Sequence, residues 1–287
     1  MAIAVVTGSS TGIGQATAAT LARAGHTVYA TMRNPKSGSE ELRAIAAREN
    51  LPLRYAALDV DSDQSVRDAF AGILAESGHI DVLVNNAGIG QWGAVEELPI
   101  ATFRAAMETN FFGALRCIQA VVPGMRERRA GCIINVTSVA GRISIAPQAP
   151  YNSTKFALEV LSECLAQEMK AFGVRVAIVE PGIIATPIFG KVDPPPASTN
   201  YSHSRRLNEL FRASLENPVS PYVVGEKIRE IVDSGTWTLR HLVGPDAAGF
   251  LAWRASMTDE QWVEWGALTD DQWVAYVRQN FGLNVSL

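Results

Sequence analysis

The chain has 287 residues, 47% of them hydrophobic and 19% charged, and its formal net charge is −4. This composition is close to the average of globular proteins and excludes a mainly disordered chain, while the lack of a basic excess argues against electrostatic binding of nucleic acid. Because α/β proteins of about 250 residues fold as one domain, we expect one large domain with an appended segment.

Short apolar segments alternate with helical patterns along most of the chain. Strands are predicted at residues 2–7, 27–31, 53–58, 81–84, 131–137 and 174–179. Helices are predicted at residues 12–24 and 39–50, from a cap at Asp61 or Ser62 to Glu76, within 99–128 as one or two helices, and at 151–172. Since parallel strands need crossover helices, this order predicts an α/β fold, a doubly wound parallel sheet with helices on both faces.

The alternation stops after Pro187. Residues 188–221, with three consecutive prolines at 194–196, are typical of a surface loop or a mobile lid, and a helix at 221–232 and a last strand at 239–243 follow. We predict a dinucleotide-binding catalytic domain of residues 1–249, including a substrate loop at 187–220. Residues 250–287 are predicted to be a Trp-rich helical C-terminal extension of the same domain.

The extension combines tryptophans with helix-capping patterns. Four of the six tryptophans are Trp253, Trp262, Trp265 and Trp273. Thr258 with Gln261, and Thr269 with Gln272, have the spacing of capping boxes and predict two short helices. We rank packing on the core or on a neighbouring subunit first, and covering of a substrate pocket second.

Several other classes of protein are disfavoured. Cys117, Cys132 and Cys164 form no metal-binding pattern, so we expect buried thiols in a reducing compartment. None of the four histidines falls in a motif, and we expect surface or loop positions for them and no metal site. No apolar run reaches the about 18 residues of a membrane span, and the apolar pattern beginning at Ala2 leaves no room for a removable leader. We therefore expect a cytoplasmic protein.

A glycine-rich turn lies between the first predicted strand and helix. Residues 7–14 have glycines at positions 8, 12 and 14, and glycines let the backbone approach a pyrophosphate bound at a helix N-terminus. The turn predicts a dinucleotide site, with an ordinary strand–helix turn as the alternative. Residues 30–36 have no acid for a ribose 2′-hydroxyl, whereas Arg33 can bind a 2′-phosphate. This favours NADP(H), with NAD(H) and a merely solvated arginine as the alternatives.

Tyr151 and Lys155 are four residues apart and share one face of a predicted helix. A nearby ammonium lowers the pKa of a phenol, ordinarily about 10. The pair can therefore act as a general acid/base for the interconversion of an alcohol and a carbonyl. Because this spacing is common, a surface helix pair is the alternative.

These motifs together resemble a known family. Residues 7–14, 85–88, Asn110, Ser138, Tyr151 with Lys155, and Pro181 with Gly182 have the order and spacing of the short-chain dehydrogenase/reductase family, over about residues 2–250. The resemblance implies a Rossmann-type sheet of about seven strands, a nicotinamide cofactor and hydride transfer. Residues 28–33 and 181–186 resemble the branch of 17β-hydroxysteroid and retinol dehydrogenases, which implies a bulky apolar, steroid-like substrate.

The resemblance also implies residue roles. Tyr151 would transfer the proton, and Ser138 would hold the substrate oxygen. Lys155 would bind the nicotinamide ribose and lower the pKa of Tyr151, and Asn110 would fix a water that links Lys155 to solvent. The residues implied at the cofactor are Gly8, Ser10, Thr11, Gly12, Ile13, Gly14, Arg33, Asp59, Val60, Asn86, Ala87, Gly88, Tyr151, Lys155, Pro181, Gly182, Ile184 and Thr186. The candidate substrate contacts are Gln91, Trp92, Ser144, Ile145, Ala146 and Phe189, with simple loop packing as the alternative.

The sequence thus predicts an NADP(H)-dependent oxidoreductase that interconverts a ketone and a secondary alcohol on a bulky apolar substrate. The alternatives are an NAD-dependent alcohol dehydrogenase and a non-catalytic, cofactor-binding regulator on the same fold. The habit of the family implies a homodimer or homotetramer that pairs through the long helices at 103–128 and 151–172.

Overall fold

The computed structural model describes residues 1–192 and 199–287. Within them, seven parallel strands form one sheet in the order 3-2-1-4-5-6-7. The strands are β1 (Ile3–Val6), β2 (Thr27–Met32), β3 (Leu53–Ala57), β4 (Val82–Asn85), β5 (Gly131–Val136), β6 (Val174–Pro181) and β7 (Arg240–Val243). The strand order reverses between β1 and β4, which is where doubly wound sheets bind ligands. The predicted Rossmann-type sheet of about seven strands is confirmed.

Helices cover both faces of the sheet. Those of the first 234 residues are α1 (Gly12–Arg23), α2 (Glu40–Glu49), α3 (Asp63–Ser77), α4 (Ile100–Met107), α5 (Gly113–Arg128), α6 (Ala149–Lys170), α7 (His203–Ser214) and α8 (Tyr222–Ser234). Three more follow β7, namely α9 (Ala247–Ala255), α10 (Asp259–Gly266) and α11 (Asp270–Phe281). Of the two caps predicted for α3, Ser62 is the one used, since its side chain accepts a hydrogen bond from Ser65 N.

The sheet separates two apolar cores. Successive strand residues point to opposite faces, so the fully buried neighbours Val5 and Val6 belong to different cores. One core packs against α1, α2 and α8, and the other against α3, α5 and α6. Both faces of each central strand are thereby buried, which explains why the strands are apolar throughout.

The region predicted as one or two helices before β5 is a single helical path with an irregular turn. Residues Glu108–Phe112 form a π-helical turn between α4 and α5. Such turns insert one residue into the helical ladder and are frequent at functional sites. Asn110 lies in this turn and is buried.

The segment expected as a loop at 187–220 contains more regular structure than the sequence indicates. A 3-10 turn covers Pro187–Lys191, and α7 covers His203–Ser214. The proline-rich residues 193–196 lie outside the described residues. The expectation of a loop was wrong at α7. Most residues of this helix are polar, and its apolar face, with Leu207 and Leu210, is too short to stand out in the sequence. These residues are spaced for a helix that faces apolar groups on one side.

The C-terminal region is helical, as predicted. Both predicted capping boxes are present, at Thr258 with Gln261 and at Thr269 with Gln272. The expected start of the extension at residue 250 falls inside α9, where Ala247 and Phe250 share a buried cluster with Val139 and Ile143. The aromatic rings of Trp253, Trp262 and Trp265 pack together, with centroids 4.8 to 5.3 Å apart.

One minor expectation needs correction. Cys164 is exposed, whereas Cys117 and Cys132 are buried as expected. His26 lies in the loop between α1 and β2, one of the positions expected for the histidines. It is buried there, and its ring nitrogens bond to Ala2 N and to the carboxylate of Asp233. Among the described helices, none is both long and apolar enough to cross a membrane. No group of three metal-binding side chains occurs in the described part of the chain.

Candidate active site

The carboxyl ends of the central strands open onto a cavity of about 410 Å³. It extends from the glycine-rich turn after β1, past Ser138 and Tyr151, to α7. One continuous cavity is therefore lined by the predicted cofactor residues other than Gly14, and by Ser138, Tyr151 and Lys155 of the predicted reacting group.

The glycine-rich turn packs tightly on the segment that follows β4. Gly8 has φ +67°, and a Cβ atom at this position would lie 2.8 Å from the Cα atom of Ala87. A Cβ atom on Gly14 would lie 2.4 Å from Asn86 Nδ2. Gly14 does not line the cavity, so its part in the site is to allow Asn86 to approach. Asn86 Nδ2 in turn donates to the carbonyl oxygen of Thr7 at 2.9 Å.

The start of α1 is suited to an anion. Its N-cap residue, Thr11, makes no side-chain capping bond to the first turn. Gly12, with φ +60°, and Ile13 line the cavity together with Ser10 and Thr11. Backbone N–H groups at a helix N-terminus bind phosphate. The turn therefore fits the pyrophosphate of a dinucleotide.

The predicted adenosine side of the site also lines the cavity. Arg33 is exposed there at the end of β2, and Asp59 and Val60 follow β3. Asp59 Oδ1 accepts a hydrogen bond from Asp61 N at 3.2 Å, which shapes the turn after β3. Asn86, Ala87 and Gly88 complete this wall after β4.

The segment after β6 is positioned by a residue that the sequence reading missed. Asp246 Oδ2 accepts a hydrogen bond from Ile183 N at 2.8 Å, and a Cβ atom on Gly182 would lie only 2.1 Å from Asp246 Oδ1. Asp246 thus holds the segment from Pro181 to Ile184 in place beside the cavity. All four residues of this segment, and also Thr186, line the cavity. The signal available in the sequence was the glycine at position 244, two residues before Asp246. In the structure Gly244 has φ +104°, which is typical of a tight turn.

Tyr151 and Ser138 meet inside the cavity, from the start of α6 and the end of β5. Burial raises the pKa of Tyr151 to about 12, and the hydrogen bond with Ser138 opposes this shift. The Ser138 hydroxyl also donates to the carbonyl oxygen of Pro181 at 3.3 Å and accepts from Ala140 N at 3.1 Å. Ser138 is thereby held beside the tyrosine.

Lys155 lies one helical turn after Tyr151, with Nζ 5.5 Å from the centre of the phenol ring. Burial lowers the pKa of Lys155 to about 8, and attraction to Glu159 opposes the shift. Lys155 is not among the groups that shift the pKa of Tyr151 in the protein on its own, where burial raises that pKa and the hydrogen bond with Ser138 opposes the rise. A phenol with a raised pKa is a proton donor at neutral pH.

Asn110 lies behind the cavity and not in its wall. Its Oδ1 accepts from Ile89 N at 2.8 Å, and its Nδ2 donates to Ile89 O and to Thr154 Oγ1, both at 3.0 Å. Asn110 therefore joins the π-turn to α6 next to Lys155. This placement brings a residue that is remote in sequence from α6 next to the predicted site.

The other end of the cavity is apolar. Gln91, Trp92, Ile145 and Phe189 line it as predicted, whereas Ser144 and Ala146 do not. The carbonyl oxygen of Ser144 instead accepts a hydrogen bond from Trp262 Nε1 at 3.0 Å. Further lining residues that the sequence reading missed are Ile89, Val139, Ile143, Gln148, Ile183, Ile188, Leu207, Leu210, Phe211 and Phe250.

Comparison with known proteins identifies relatives over most of the chain. The family described as short chain dehydrogenase matches residues 2–197. A 3-ketodihydrosphingosine reductase of Bacteroides thetaiotaomicron is 36% identical, over 85% of this chain and 88% of that protein. Retinol dehydrogenase 8 of Homo sapiens is 41% identical, over 66% of this chain and 60% of that protein.

Solved structures show the same fold. A short-chain dehydrogenase from Streptomyces avermitilis superposes with a TM-score of 0.81 at 35% identity, covering 92% of this chain and 95% of that one. An alcohol dehydrogenase from Thermococcus sibiricus, complexed with 5-hydroxy-NADP, gives a TM-score of 0.70 at 25% identity, covering 84% of this chain and 95% of that one.

Proposed function

The chain belongs to the short-chain dehydrogenase/reductase family, and from this membership we propose that it is an NADP(H)-dependent oxidoreductase that interconverts a ketone and a secondary alcohol. The observation that carries the proposal is the meeting of Tyr151 and Ser138 in one cavity with the glycine-rich turn. Oxidoreduction at CH–OH groups is the chemistry of the family. The choice of cofactor, the residue roles and the substrate are the parts proposed here.

The cofactor would lie between α1 and the ends of β4 and β6. The free first turn of α1 would bind the pyrophosphate, and Asn86 to Gly88 would line the adenosine ribose. Arg33 supports NADP(H), because an exposed guanidinium in the cavity wall can bind a 2′-phosphate through two parallel hydrogen bonds. The NADP-type ligand of the Thermococcus sibiricus relative is in keeping with this choice.

The proton would move at Tyr151 Oη. When bound, the nicotinamide supplies or accepts the hydride. Tyr151 would protonate the carbonyl oxygen during reduction, since burial keeps the phenol protonated at neutral pH. Ser138 would hold the same oxygen by a hydrogen bond. Lys155 would bind the nicotinamide ribose, and its charge would stabilise the phenolate left after proton transfer. Asn110 would fix the position of α6 and a water beside Lys155.

The substrate would be a bulky apolar ketone or alcohol. Three aromatic rings surround the far end of the cavity, with the Phe211 ring centre 5.6 Å from that of Trp92 and 4.7 Å from that of Phe189. Such walls bind apolar molecules by removing their surface from water. Gln91 and Gln148 are among the polar residues that line the cavity.

The test is reduction of a panel of cyclic and bicyclic ketones, followed by the absorbance of NADPH and, separately, of NADH. We expect turnover with NADPH, and a loss of about 10²- to 10⁴-fold in kcat for Tyr151→Phe. Tyr222→Phe is the matched control, because Tyr222 lies outside the cavity. Retained turnover in Tyr151→Phe would refute its role. Cofactor binding with no turnover of any ketone or alcohol would instead support a non-catalytic regulator, and a preference for NADH would support the NAD-dependent alternative.

We also propose a homo-oligomer that pairs through α5 and α6. Phe156 and Val160 of α6 are 40% and 60% exposed, and Phe112, which directly precedes α5, is 43% exposed. The opposite faces of α5 and α6 are buried in the core. Light scattering should give the molar mass of a dimer or tetramer, and Val160→Arg should lower the measured molar mass towards that of the monomer. A monomeric wild type would contradict this proposal.

A further inference from the structure

The function proposed above gives no role to the C-terminal arm, defined here as residues 258–287. This arm lies against α7, the helix that forms one wall of the apolar end of the cavity. The α7 residues that line the cavity are Leu207, Leu210 and Phe211. Two of them, Leu207 and Leu210, share a buried cluster with Trp273 and Val277 of α11. The arm therefore packs on the back of the cavity wall.

Asp270, the first residue of α11, ties the arm to the start of α7. Its Oδ1 accepts a hydrogen bond from Arg206 Nε at 2.8 Å, and its Oδ2 accepts one from Arg205. Arg206 is only 7% exposed. Removing the carboxylate partner of a buried guanidinium strongly destabilises the folded protein. This ion pair therefore fixes the turn of α7 that carries Leu207.

The other end of α7 is tied to the last residues of the arm. Ser286 N donates to Glu209 Oε1 at 2.7 Å, and Arg212 Nη2 donates to the carbonyl oxygen of Asn284 at 2.9 Å. The arm thus contacts both ends of α7, so the helix cannot move away from the cavity without breaking several contacts.

The same arm also contacts the opposite wall. Trp262 Nε1 donates to the carbonyl oxygen of Ser144 at 3.0 Å. Ser144 lies between Ile143 and Ile145, and both of these side chains line the cavity. The Trp265 side chain borders a small space beside Ile145 and α7. One segment of chain therefore joins the loop at 143–145 to α7 across the outside of the cavity.

We propose that Asp270 and Trp262 are positioning residues, which act from outside the cavity to set the separation of its two walls and thereby the preference for large over small ketones. This inference rests on the proposed function for its substrate class. Loss of either contact lets one wall move outward. The large ketone, which reaches the walls, should then lose more affinity and turnover than the small ketone, which does not.

The experiment compares Asp270→Asn with Asp271→Asn in the full chain. Asp271 is the next residue in the first turn of α11 and is exposed, so its replacement makes the same charge change without breaking the pair. The measured quantity is the ratio of kcat/KM for 1-decalone, a two-ring ketone, to that for cyclohexanone. We expect the ratio to fall about tenfold in Asp270→Asn and to stay at the wild-type value in Asp271→Asn. Asp270→Glu should restore part of the ratio, and the affinity for NADPH should be the same in all variants.

A second pair of variants keeps the proposal testable if Asp270→Asn does not fold. Trp262→Phe removes the Nε1 donor and retains an aromatic ring, and Trp237→Phe changes an exposed tryptophan outside the arm. We expect a lower ratio in the first variant and the wild-type ratio in the second. An unchanged ratio in every folded Asp270 and Trp262 variant overturns the proposal, and so does an equal fall in the matched controls.

Ketone binding measured by calorimetry separates this proposal from the proposed function. If the wild type binds 1-decalone more tightly than cyclohexanone but reduces neither, the proposed function fails, and the binding ratio replaces the kinetic ratio in the same comparison. If the wild type binds neither ketone, the specificity proposal is overturned, and the proposed function is decided by the ketone panel described above.

Discussion

Lys155 Nζ donates a hydrogen bond of 3.0 Å to the backbone carbonyl oxygen of Val136. This bond holds the ammonium at the end of β5, between Tyr151 and the buried carboxylate of Glu159. A lysine in this position is charged below its lowered pKa and neutral above it. Its ionisation should therefore be visible in the binding of the cofactor.

We expect kcat/KM for the cofactor to fall as the pH rises through about 8, the value to which burial lowers the pKa of Lys155. The sign follows because deprotonation removes the positive charge that would bind the nicotinamide ribose. Tyr151, with a pKa of about 12, stays protonated over the same range. The measurement is the pH profile of kcat/KM for NADPH during ketone reduction, in the wild type and in Lys170→Arg. Lys170 lies outside the cavity and serves as the control. A profile that is flat through pH 8 would contradict it.

Arg33→Ala should weaken the binding of NADPH and leave that of NADH unchanged. A hydrogen bond to a charged group contributes about 1.5–3 kcal/mol, which corresponds to roughly 10- to 100-fold in the dissociation constant. Fluorescence titration of both cofactors measures the change. Arg67→Ala, at an exposed arginine of α3, is the control. Equal affinity for NADPH in wild type and Arg33→Ala would exclude the assigned contact.

Gly8→Ala should destabilise the fold as well as the cofactor site. Its backbone has φ +67°, and the new methyl group would meet the Cα atom of Ala87 at 2.8 Å. A non-glycine residue in such a backbone conformation lowers the free energy of unfolding by about 1–3 kcal/mol. The free energy of unfolding in urea gives the value. Gly72→Ala, inside α3 with open space around it, should instead gain about 0.5–1 kcal/mol. Equal effects at the two positions would argue against the strain.

Asp246→Ala should raise KM for the cofactor without touching the reacting groups. It leaves the partly buried Ile183 N without its acceptor, and a buried donor without a partner costs about 1–3 kcal/mol, which is the upper bound here. The chain from Pro181 to Ile184 should then lose its fixed position. Steady-state kinetics and thermal unfolding measure the two effects. Asp68→Ala, at an exposed site on α3, should change neither.

The parallel sheet and its glycine-rich turn could be predicted because local patterns determine them. An apolar strand, a glycine turn and an alanine-rich helix follow one another within the first 23 residues. The capping boxes at Thr258 and Thr269 were likewise predicted, since a cap depends on residues three positions apart. The raised pKa of Tyr151 was not predicted, because burial by distant segments causes it.

The substrate wall was the least predictable part of the site. Arg205 and Arg206 look like solvent-exposed residues in the sequence, and their partner Asp270 is more than 60 residues further along the chain. Asp246 was missed for the same reason, since its contact with Ile183 spans 63 positions. Ion pairs and hydrogen bonds of this length leave no periodic signal in the sequence.

The tight packing between the first glycine turn and the segment after β4 links ligand binding to the completion of folding. Thr7 Oγ1 accepts hydrogen bonds from Asn86 N and Ala87 N, each at 3.0 Å, across 79 and 80 positions of sequence. Contacts between such distant positions require the closure of a long loop and are absent from partly folded chains. A dinucleotide that binds there would recognise only the native state, and at 100 times its dissociation constant it would stabilise that state by about 2.7 kcal/mol. The cellular supply of cofactor would then also set how much of the enzyme survives unfolding and proteolysis.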